Sequence, residues 1–391
     1  MKIIILTGKF GMGHMMAAQA IKQHIDDSPI DAETQVIDWL DYCSPRLADR
    51  YYSFYQFLVK RGSRFYNARY RFLENKKTDQ KPELRLLFEK YFLKLMQEKH
   101  PDMIISTLPL CSQIISRYKE ETKSTIPFIT FVTDITGHSE WINKNTNYYF
   151  VGSASVAARF RLKGVPPEKI IVSGLPVRLD FLKVSQKEEP IDGNAMRHIL
   201  IMGGGLGMLP RTFDFYDRLE HLPNTMTTII TGKNTELYQR LSGRYHQINV
   251  LGYVKNVCDY MRQSDVILTK PGGVTTFEAI CAEVPILALN PSMQQELYNA
   301  QFIQETGIGT IIQGNSIHCL EEIQTLLDSS QINHYKLNIH QLKKHIYNHN
   351  LITLLEMILS EETFLEHMEY QKNYHPIRED YNRNEKISFN V

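Results

Sequence analysis

The sequence of 391 residues has little of several features that mark common classes of protein. Its five cysteines form no CxxC pair and no spacing typical of metal ligands, which argues against a disulfide framework or a structural metal site. No stretch approaches the roughly 20 apolar residues that a membrane-spanning helix needs. Neither a Walker A loop nor a complete GxGxxG fingerprint occurs. We therefore expect reduced thiols in a cytoplasmic protein that is at most peripheral to a membrane.

Net charge is almost absent as well. The 44 Lys and Arg residues balance the 43 Asp and Glu residues to a net charge of +1, so no bulk attraction to nucleic acid is expected. Only Lys2 precedes the first apolar run, and no signal-peptide pattern is expected there. The hydrophobic content of 43% is that of a soluble globular protein. The length favours two domains.

Short apolar runs recur along the chain and alternate with helix-like segments. This rhythm predicts an α/β fold with doubly wound parallel sheets. The predicted strands are 2–6, 35–38, 103–107, 127–132, 148–151 and 170–174, followed by 198–202, 228–231, 248–251, 266–268 and 285–289. Residues 184–197 are polar and contain Pro and Gly, which is typical of a linker. We predict domains at 1–183 and 198–365, joined by that linker, and a polar tail at 366–391.

A glycine-containing turn follows the first predicted strand, in the sequence Thr7-Gly-Lys-Phe-Gly-Met-Gly-His14. An Ala-rich helix follows it. Glycines let the backbone turn sharply and approach a ligand, but they do not identify the ligand. His14 stands at the carboxyl end of the strand, where open α/β sheets bind ligands. His14 is therefore a candidate site residue, although a lone histidine at a helix start often has a structural role.

The stretch from 269 to 300 has the pattern of a second ligand-binding region. A strand ends at Thr269-Lys-Pro-Gly-Gly273, and Thr275 and Thr276 occupy the expected N-cap of the next helix. A helix N-terminus after a glycine turn is a natural anion site. Glu278 would then lie in the first helical turn, where the helix dipole stabilises a carboxylate. A later helix begins with further polar side chains, at Gln295, Glu296 and Asn299. Two ordinary βα units with routine caps are the alternative interpretation.

Residues 50–77 differ in character from the rest of the chain, with eight basic residues against one acid, Glu74. Nine aromatic residues are interleaved with them: Tyr51, Tyr52, Phe54, Tyr55, Phe57, Phe65, Tyr66, Tyr70 and Phe72. Such a segment fits the surface of an anionic membrane. The same composition would suit RNA, through stacking and phosphate contacts, and an amphipathic helix pair with core aromatics is a third interpretation.

Several motifs together resemble those of one enzyme family. They are KFGMGH (9–14), TDITGHSEW (133–141), GVPPEKIIVSGLPV (164–177), MGGGLG (202–207), TGKN (231–234), GYVKNV (252–257) and TKPGGVTTFEA (269–279). In their order and spacing the chain is similar to the bacterial diacylglycerol glycosyltransferases, which include processive diacylglycerol glucosyltransferases. These are related to plant monogalactosyldiacylglycerol synthases and, more distantly, to the lipid II GlcNAc transferase. The resemblance covers roughly residues 3 to 310.

The resemblance implies a GT-B fold, in which two Rossmann-like domains face an interdomain cleft. The N-terminal domain would bind the lipid acceptor, and the C-terminal domain would bind a UDP-sugar. By position, Tyr253 and Val254 match the uracil-binding loop, and Glu278 matches the ligand of the ribose hydroxyls. The residues expected near the diphosphate are Gly204, Gly205, Gly207, Lys233, Gly273, Val274 and Thr275. Those expected near the hexose are Gln295, Glu296 and, behind them, Asn299.

The acceptor side of the resemblance includes three candidate catalytic residues. His14 matches the histidine of the family's GxGH motif, and a histidine is suited to remove the proton from an acceptor hydroxyl. Asp134 and His138 match positions near the cleft and would orient or replace His14. The plant branch has an Asp where this chain has Lys9, so that carboxylate is not available. No DxD carboxylate pair occurs. We therefore expect no metal and no cofactor besides the UDP-sugar co-substrate.

The function that these features imply is inverting transfer of a hexose from a UDP-sugar to diacylglycerol, with glucose favoured over galactose, and repeated transfer is compatible with the family. The enzyme would work on the inner face of the cell membrane and contact the anionic surface through residues 50–77. No nucleic-acid partner is expected. Two alternatives stay open: a transferase with another lipid acceptor, such as a polyprenyl-linked sugar or a glycolipid, and a regulatory protein that binds a UDP-sugar without turnover.

Overall fold

The computed structural model describes most of the chain. The described residues are 1–61, 63–74, 78–80, 85–183, 196–204, 207, 209–210, 212–291, 293–312, 316–327, 330–346, 352–353 and 355–356. The predicted linker therefore lies almost wholly outside the described residues, and the predicted tail at 366–391 does so entirely. Gly205, a predicted diphosphate contact, also lies outside them. Residues 1–348 form one compact unit.

The N-terminal half is built on a parallel sheet whose strands are apolar and almost fully buried, except for the edge strand Glu33–Asp38, in which two of six residues are buried. Its strands are β1 (Lys2–Thr7), β2 (Glu33–Asp38), β3 (Met103–Ser106), β4 (Phe128–Phe131), β5 (Tyr148–Val151) and β6 (Ile170–Val172). The helices are α1 (Gly13–Asp26), α2 (Trp39–Cys43), α3 (Pro45–Arg61), α4 (Ser63–Glu74), α5 (Arg85–Lys99), α6 (Pro109–Thr122), α7 (Ala154–Leu162) and α8 (Leu179–Leu182). The strand order is β2-β1-β3-β4-β5-β6. Continuous apolar runs are typical of strands buried on both faces, as predicted.

The C-terminal half repeats this architecture. Its strands are β7 (Arg197–Met202), β8 (Thr225–Ile230), β9 (Ile248–Leu251), β10 (Val266–Thr269), β11 (Ile286–Leu289) and β12 (Gly309–Ile312). The helices are α9 (Phe213–Leu219), α10 (Thr235–Leu241), α11 (Val257–Gln263), α12 (Gly273–Ala282), α13 (Gln294–Glu305), α14 (Ser316–Leu327) and α15 (Gln331–Ile346). The order β12-β11-β10-β7-β8-β9 is that of a Rossmann sheet. The predicted α/β class is confirmed, whereas β12 was not predicted.

Each sheet has a point where the strand order reverses, and ligands bind at such points in open α/β sheets. In the N-terminal sheet the reversal lies between β1 and β3, which pair in parallel from Ile3 and Met103. In the C-terminal sheet it lies between β7 and β10, which pair from Ile199 and Val266. The loops that leave these four strands carry His14, Thr107, Gly204 and the turn before α12. The fold therefore places the glycine turns after β1, β7 and β10 at ligand-binding positions.

Residues 50–61 form most of α3 and residues 63–74 form α4, and the two helices pack against each other. One set of rings faces inward: Tyr52 and Tyr70 are buried. Another set faces solvent, since Tyr51, Phe54, Phe57 and Phe72 are 47%, 59%, 54% and 63% exposed. The core-packing interpretation is therefore correct for some rings and not for others. Among the described residues, no helix is long and apolar enough to cross a membrane.

Candidate active site

A cavity of about 230 Å³ lies where the loops of the two halves meet. It is lined by residues from both halves, as expected for a site at the carboxyl ends of two sheets. Most predicted site residues line it: His14, Asp134, Gly204, Lys233, Tyr253, Val254, Gly273, Val274, Thr275, Glu278, Gln295, Glu296 and Asn299. The structure thus gathers into one place residues that are up to 285 positions apart in the sequence.

His14 is the second residue of α1, and its ring is held by groups from the ends of two other strands. Nδ1 lies 2.9 Å from the carbonyl oxygen of Thr107 and 2.7 Å from Oγ1 of Thr133. Because a carbonyl oxygen only accepts hydrogen bonds, this network assigns the proton to Nδ1. The lone pair is then on Nε2. Burial lowers the pKa of His14, while Asp134 and the Thr107 carbonyl oppose that shift. The imidazole is therefore neutral near pH 7 and can accept a proton.

Asp134 lies in the loop after β4 and contributes charge to the same cavity. Burial raises the pKa of its carboxyl group, whereas the neighbouring histidines His14 and His138 and a hydrogen bond from Trp141 lower it. A carboxylate near His14 stabilises the imidazolium that forms when the ring takes a proton. Asp134 therefore lies close enough to His14 to influence its charge, and its catalytic role stays a prediction.

His138 does not line the cavity, and the catalytic role expected of it does not fit its position. Its ring is buried, and Nε2 lies 3.0 Å from the Tyr70 carbonyl oxygen. Nδ1 accepts a hydrogen bond of 3.2 Å from the Glu140 backbone N–H. The ring also packs against that of Tyr70, with centroids 4.0 Å apart. His138 therefore fastens α4 to the loop after β4.

Lys9 also lies outside the cavity lining. Its ammonium is 3.5 Å from the Asp38 carboxylate and forms a close pair with Asp41. Asp38 is the last residue of β2 and Asp41 lies on α2. Tyr52 donates a hydrogen bond of 2.7 Å to the same Asp38 side chain. Lys9 therefore anchors the glycine turn that carries His14. Lys9 is thus paired with the acidic side chains of Asp38 and Asp41.

The helix α12 begins earlier than predicted. Gly272 is its N-cap and Gly273 its first residue, so Thr275 and Thr276 lie inside the helix. A Cβ on Gly273 would lie 2.6 Å from the Thr133 carbonyl oxygen and 3.2 Å from Leu175 Cδ1. Only glycine fits at this close approach between the halves. The helix N-terminus is thereby brought against the loop that carries Asp134, and its free N–H groups face the cavity.

Because α12 begins at Gly273, Glu278 lies in the second helical turn and not in the first. The dipole effect expected for it falls off within the first turn. Instead, burial raises the pKa of Glu278 to about 7, despite the opposing charge of Arg178. The carboxylate still lines the cavity. Arg178, which was not predicted, also lines the cavity.

Lys270 is a second lining residue that sequence reasoning missed. It follows β10 directly, and its Nζ lies 3.2 Å from Oε1 of the buried Glu296. A Cβ on Gly204 would come within 3.1 Å of Lys270 Cε, so the lysine extends past the glycine turn after β7. Its place at a strand end at the reversal point, beside two glycines, was the signal that could have found it.

Asn299 joins the two halves with its side-chain amide. Nδ2 donates a hydrogen bond of 3.0 Å to the Pro271 carbonyl oxygen, and Oδ1 accepts one of 3.1 Å from the Ile135 backbone N–H. It lines the cavity, but both polar atoms of its side chain are hydrogen-bonded to the backbone of two loops. Asn299 is therefore a support for the site, consistent with its predicted place behind Gln295 and Glu296.

Gly204 and Gly207, which both follow β7, differ in whether they line the cavity. Gly204 lines it, whereas Gly207 does not. Gly207 has a φ of +59°, and a Cβ there would lie 2.0 Å from the Thr231 carbonyl oxygen. Asn234 also donates a hydrogen bond of 2.9 Å to its carbonyl. The diphosphate contact expected of Gly207 does not fit this position, since its role is close packing against the turn that presents Lys233.

No cluster of three or more His, Cys, Asp or Glu side chains suited to a metal occurs in the part of the chain that the structure describes. The cations at the cavity are instead Lys233, Lys270, Lys255 and Arg178. Together with the α12 N-terminus they make this a region that attracts anions. His14 lines the same cavity and offers a proton acceptor.

Comparisons with known proteins agree with this geometry. A sequence model of the family described as monogalactosyldiacylglycerol (MGDG) synthase matches residues 14–177. One described as the glycosyltransferase family 28 C-terminal domain matches residues 198–352. The two models follow each other along the chain, so each half resembles a glycosyltransferase domain. The resemblance seen in the sequence motifs is thereby confirmed, and the chain is an enzyme that transfers a sugar.

Curated relatives include the processive diacylglycerol beta-glucosyltransferase of Staphylococcus aureus (strain MRSA252). It is 28% identical over 327 residues, which cover 79% of this glycosyltransferase and 81% of the relative. The protein of the same name from Staphylococcus carnosus (strain TM300) is also 28% identical, over 329 residues, with the same shares of both chains covered.

Solved structures confirm the GT-B fold. The MurG structure from Acinetobacter baumannii superposes with a TM-score of 0.55 at 13% identity, covering 89% of this glycosyltransferase and 98% of MurG. The spinosyn rhamnosyltransferase SpnG with spinosyn aglycone gives 0.58 at 14% identity, covering 91% and 100%. Anabaena Alr3699/HepE in complex with UDP-glucose gives 0.52 at 15% identity, covering 92% and 99%.

Proposed function

We propose that this glycosyltransferase moves glucose from UDP-glucose to the free hydroxyl of diacylglycerol, with inversion to a β-glycoside. The observation that carries the proposal is the state of His14. Its Nδ1–H is committed to the Thr107 carbonyl, which leaves a basic Nε2 in a cavity that the N-terminus of α12 also lines. A base and a site for a departing diphosphate in one cavity suit a single displacement at a sugar carbon.

In this mechanism Nε2 of His14 takes the proton of the acceptor hydroxyl as its oxygen attacks the anomeric carbon. The pKa of the ring is lowered by burial, so no prior deprotonation is needed near neutral pH. The positive charge that forms on the ring is offset by Asp134, whose carboxylate raises the pKa of His14. The pair resembles other base–carboxylate arrangements in which the acid stabilises the imidazolium.

The leaving group is UDP, and its charge grows as the glycosidic bond breaks. The N-terminus of α12, the Gly204 turn, Lys233 and Lys270 provide dipoles and cations for it. Preorganised groups of this kind stabilise developing charge without a metal ion. We therefore propose that transfer requires no metal.

Donor recognition is assigned to the C-terminal half. Tyr253 and Val254 would hold the uracil, and Glu278 would accept hydrogen bonds from the ribose hydroxyls. A carboxylate whose pKa is raised by burial gains most when a ligand supplies hydrogen-bond donors. Gln295 and Glu296 would read the hexose hydroxyls. Glucose is favoured because the relatives that match 79% of the chain are glucosyltransferases, and repeated transfer follows from the same likeness.

The acceptor is a membrane lipid, and we propose that α3 and α4 carry the enzyme to the inner face of the membrane. Tyr51, Phe54 and Phe57 recur every third residue on α3 and are exposed, so they share one helix face. Behind this face Phe10 contacts the rings of Tyr51, Tyr52 and Tyr55 at 5.8, 5.2 and 5.2 Å. Phe10 and Tyr55 line the cavity. Rings therefore extend from the exposed face to the catalytic side.

The proposal is tested by incubating the purified protein with vesicles that contain diacylglycerol and with UDP-glucose, UDP-galactose or UDP-GlcNAc. We expect monoglucosyl diacylglycerol by mass, with a β linkage by NMR. A second sugar on the product would show repeated transfer. Product from UDP-galactose alone would reassign the donor.

Two outcomes would replace the proposal. Transfer only to a polyprenyl-linked sugar or a preformed glycolipid would favour another lipid acceptor on the same donor site. Normal binding of UDP-glucose with no product from any acceptor would favour a regulatory protein.

RNA binding that falls steeply with salt, without vesicle binding, would assign residues 50–77 to nucleic acid.

A further inference from the structure

The N-terminal half contributes directly to the helix that carries Gln295. The hydroxyl of Tyr66, on α4, donates a hydrogen bond of 2.9 Å to Oε1 of Gln295. The side-chain oxygen of the next residue, Asn67, accepts one of 2.8 Å from the Gln294 backbone N–H. Gln294 is the first residue of α13, whose own N-cap, Met293, provides no side-chain cap. Two consecutive residues of α4 thus bind two consecutive residues of α13.

These contacts constrain the orientation of the Gln295 amide. A primary amide has one oxygen that accepts and one NH₂ group that donates. When the Tyr66 hydroxyl occupies Oε1, the NH₂ group of Gln295 is left to donate within the cavity that this residue lines. Without the hydroxyl, the amide loses this partner and is no longer held in place against α4.

Tyr66 is itself well fixed for this task. Its ring contacts Tyr55 at 6.3 Å and Tyr70 at 6.2 Å between centroids. Burial raises its pKa well above the ordinary value for tyrosine, so the hydroxyl keeps its proton. Tyr70 in turn packs against His138. A chain of packed rings therefore connects the loop after β4 to the amide of Gln295.

We propose that Tyr66 is a positioning residue that fixes the Gln295 amide for recognition of the donor's hexose, so that α4 completes the hexose end of the donor site. This inference rests on the proposed function, since it takes a UDP-hexose as the donor. It makes hexose recognition a property of both halves, whereas the predicted nucleotide contacts belong to the C-terminal half. It also places the hexose contact on the same helix pair that is proposed to meet the membrane.

The test compares the binding of UDP and of UDP-glucose to the native protein and to Tyr66→Phe by calorimetry. We expect the affinity for UDP to be unchanged and that for UDP-glucose to fall about 2- to 10-fold, as for one neutral hydrogen bond. The ratio of kcat/KM for UDP-glucose over UDP-galactose should also fall. The matched control is Tyr42→Phe, which removes a hydroxyl that bonds Glu98 at 2.8 Å on an exposed part of the same half; it should change neither affinity.

A double-mutant cycle separates positioning from general damage. In a Gln295→Ala background, Tyr66→Phe should have no further effect on UDP-glucose affinity. An equal loss of UDP and UDP-glucose affinity, no loss of either, or a full additional loss in the Gln295→Ala background would overturn the inference. If the native protein binds neither UDP nor UDP-glucose, the proposed function fails. If the native protein binds both and Tyr66→Phe matches it, only this inference fails.

Discussion

Glu278 offers a test in which stability and binding change in opposite directions. Its carboxyl has a pKa of about 7 in the folded protein against an ordinary value of 4.5. Between pH 4.5 and about pH 7, the folded protein keeps the proton of Glu278 that the unfolded chain has lost. The free energy of unfolding therefore falls as pH rises through this window and is level above about pH 8. Glu278→Gln removes the titration and should remove this loss.

The size of the effect follows from the pKa difference. One pKa unit corresponds to about 1.4 kcal/mol, so the shift from 4.5 to about 7 gives an upper bound of about 3 kcal/mol. The side chain opens onto the cavity, and solvent screening reduces this to about 1–2 kcal/mol. For a unit of this size that corresponds to about 2 °C in Tm. Thermal unfolding followed by circular dichroism should show Glu278→Gln more stable than the native protein at pH 8 and equal to it near pH 4.

Donor binding should respond in the opposite sense. Loss of a charge-assisted hydrogen bond to the ribose should weaken UDP-glucose binding about 10- to 100-fold at pH 8. In the native protein, only about one tenth of Glu278 is ionised one pH unit below its pKa, so affinity should fall about tenfold from pH 8 to pH 6. Glu278→Gln should lose this pH dependence. A flat pH profile in the native protein, or no gain in stability at pH 8, would refute the reasoning.

Glu283, the C-cap residue of the same helix, is the matched control. Its pKa is lowered by Lys343, which lies 2.8 Å away, so its contribution to stability is present above about pH 4.5 and lost as pH falls. Glu283→Gln should therefore lower Tm at pH 8 and leave UDP-glucose affinity unchanged. The two substitutions have the same chemistry and opposite expected signs.

Four further predictions follow from the site. His14→Ala should lower kcat by about 10² to 10⁴ with UDP-glucose affinity unchanged in calorimetry; normal turnover would remove His14 as the base. Lys270→Met should weaken UDP-glucose binding by about tenfold, because a cation is lost and Glu296 is left buried without this partner; an unchanged Kd would contradict the diphosphate assignment. The double variant Phe54→Ser, Phe57→Ser should reduce sedimentation with anionic vesicles at least about tenfold, whereas Leu162→Ser, at an even more exposed apolar residue of the same half, should not. Treatment with EDTA should leave turnover unchanged, and restoration by Mg²⁺ of activity lost to EDTA would disprove metal-free transfer.

The strands were predictable because a strand buried on both faces is apolar at every position. Ile3, Ile4, Ile5 and Leu6 of β1 are each at most 3% exposed, and the sequence reads as one apolar run. β12 lacks this signal, since it begins at Gly309 and two of its four residues are only partly buried. A Cβ on Gly309 would lie 1.9 Å from the Ile286 carbonyl oxygen. That close approach to β11 exists only in the folded sheet.

The start of α12 shows why cap preferences were insufficient for the site. Threonine is a good N-cap, so Thr275 and Thr276 appeared to begin the helix and Glu278 to follow in its first turn. In the fold, Gly273 instead packs closely against the Thr133 carbonyl oxygen, and the helix begins at Gly273. The Thr276 hydroxyl then bonds back to the Gly272 carbonyl at 2.9 Å. A contact between halves decided the register, and with it the environment of Glu278.

The state of His14 depends on contacts of the same kind. Its position after β1 was visible in the sequence, but its tautomer is fixed by Thr107 after β3 and Thr133 after β4. These threonines are 93 and 119 residues away. The adjacency of β1, β3 and β4 in the sheet brings them to one edge. Gly273 touches that same Thr133 from the other half. Thr133 therefore contacts both the candidate base and the helix that would bind the diphosphate.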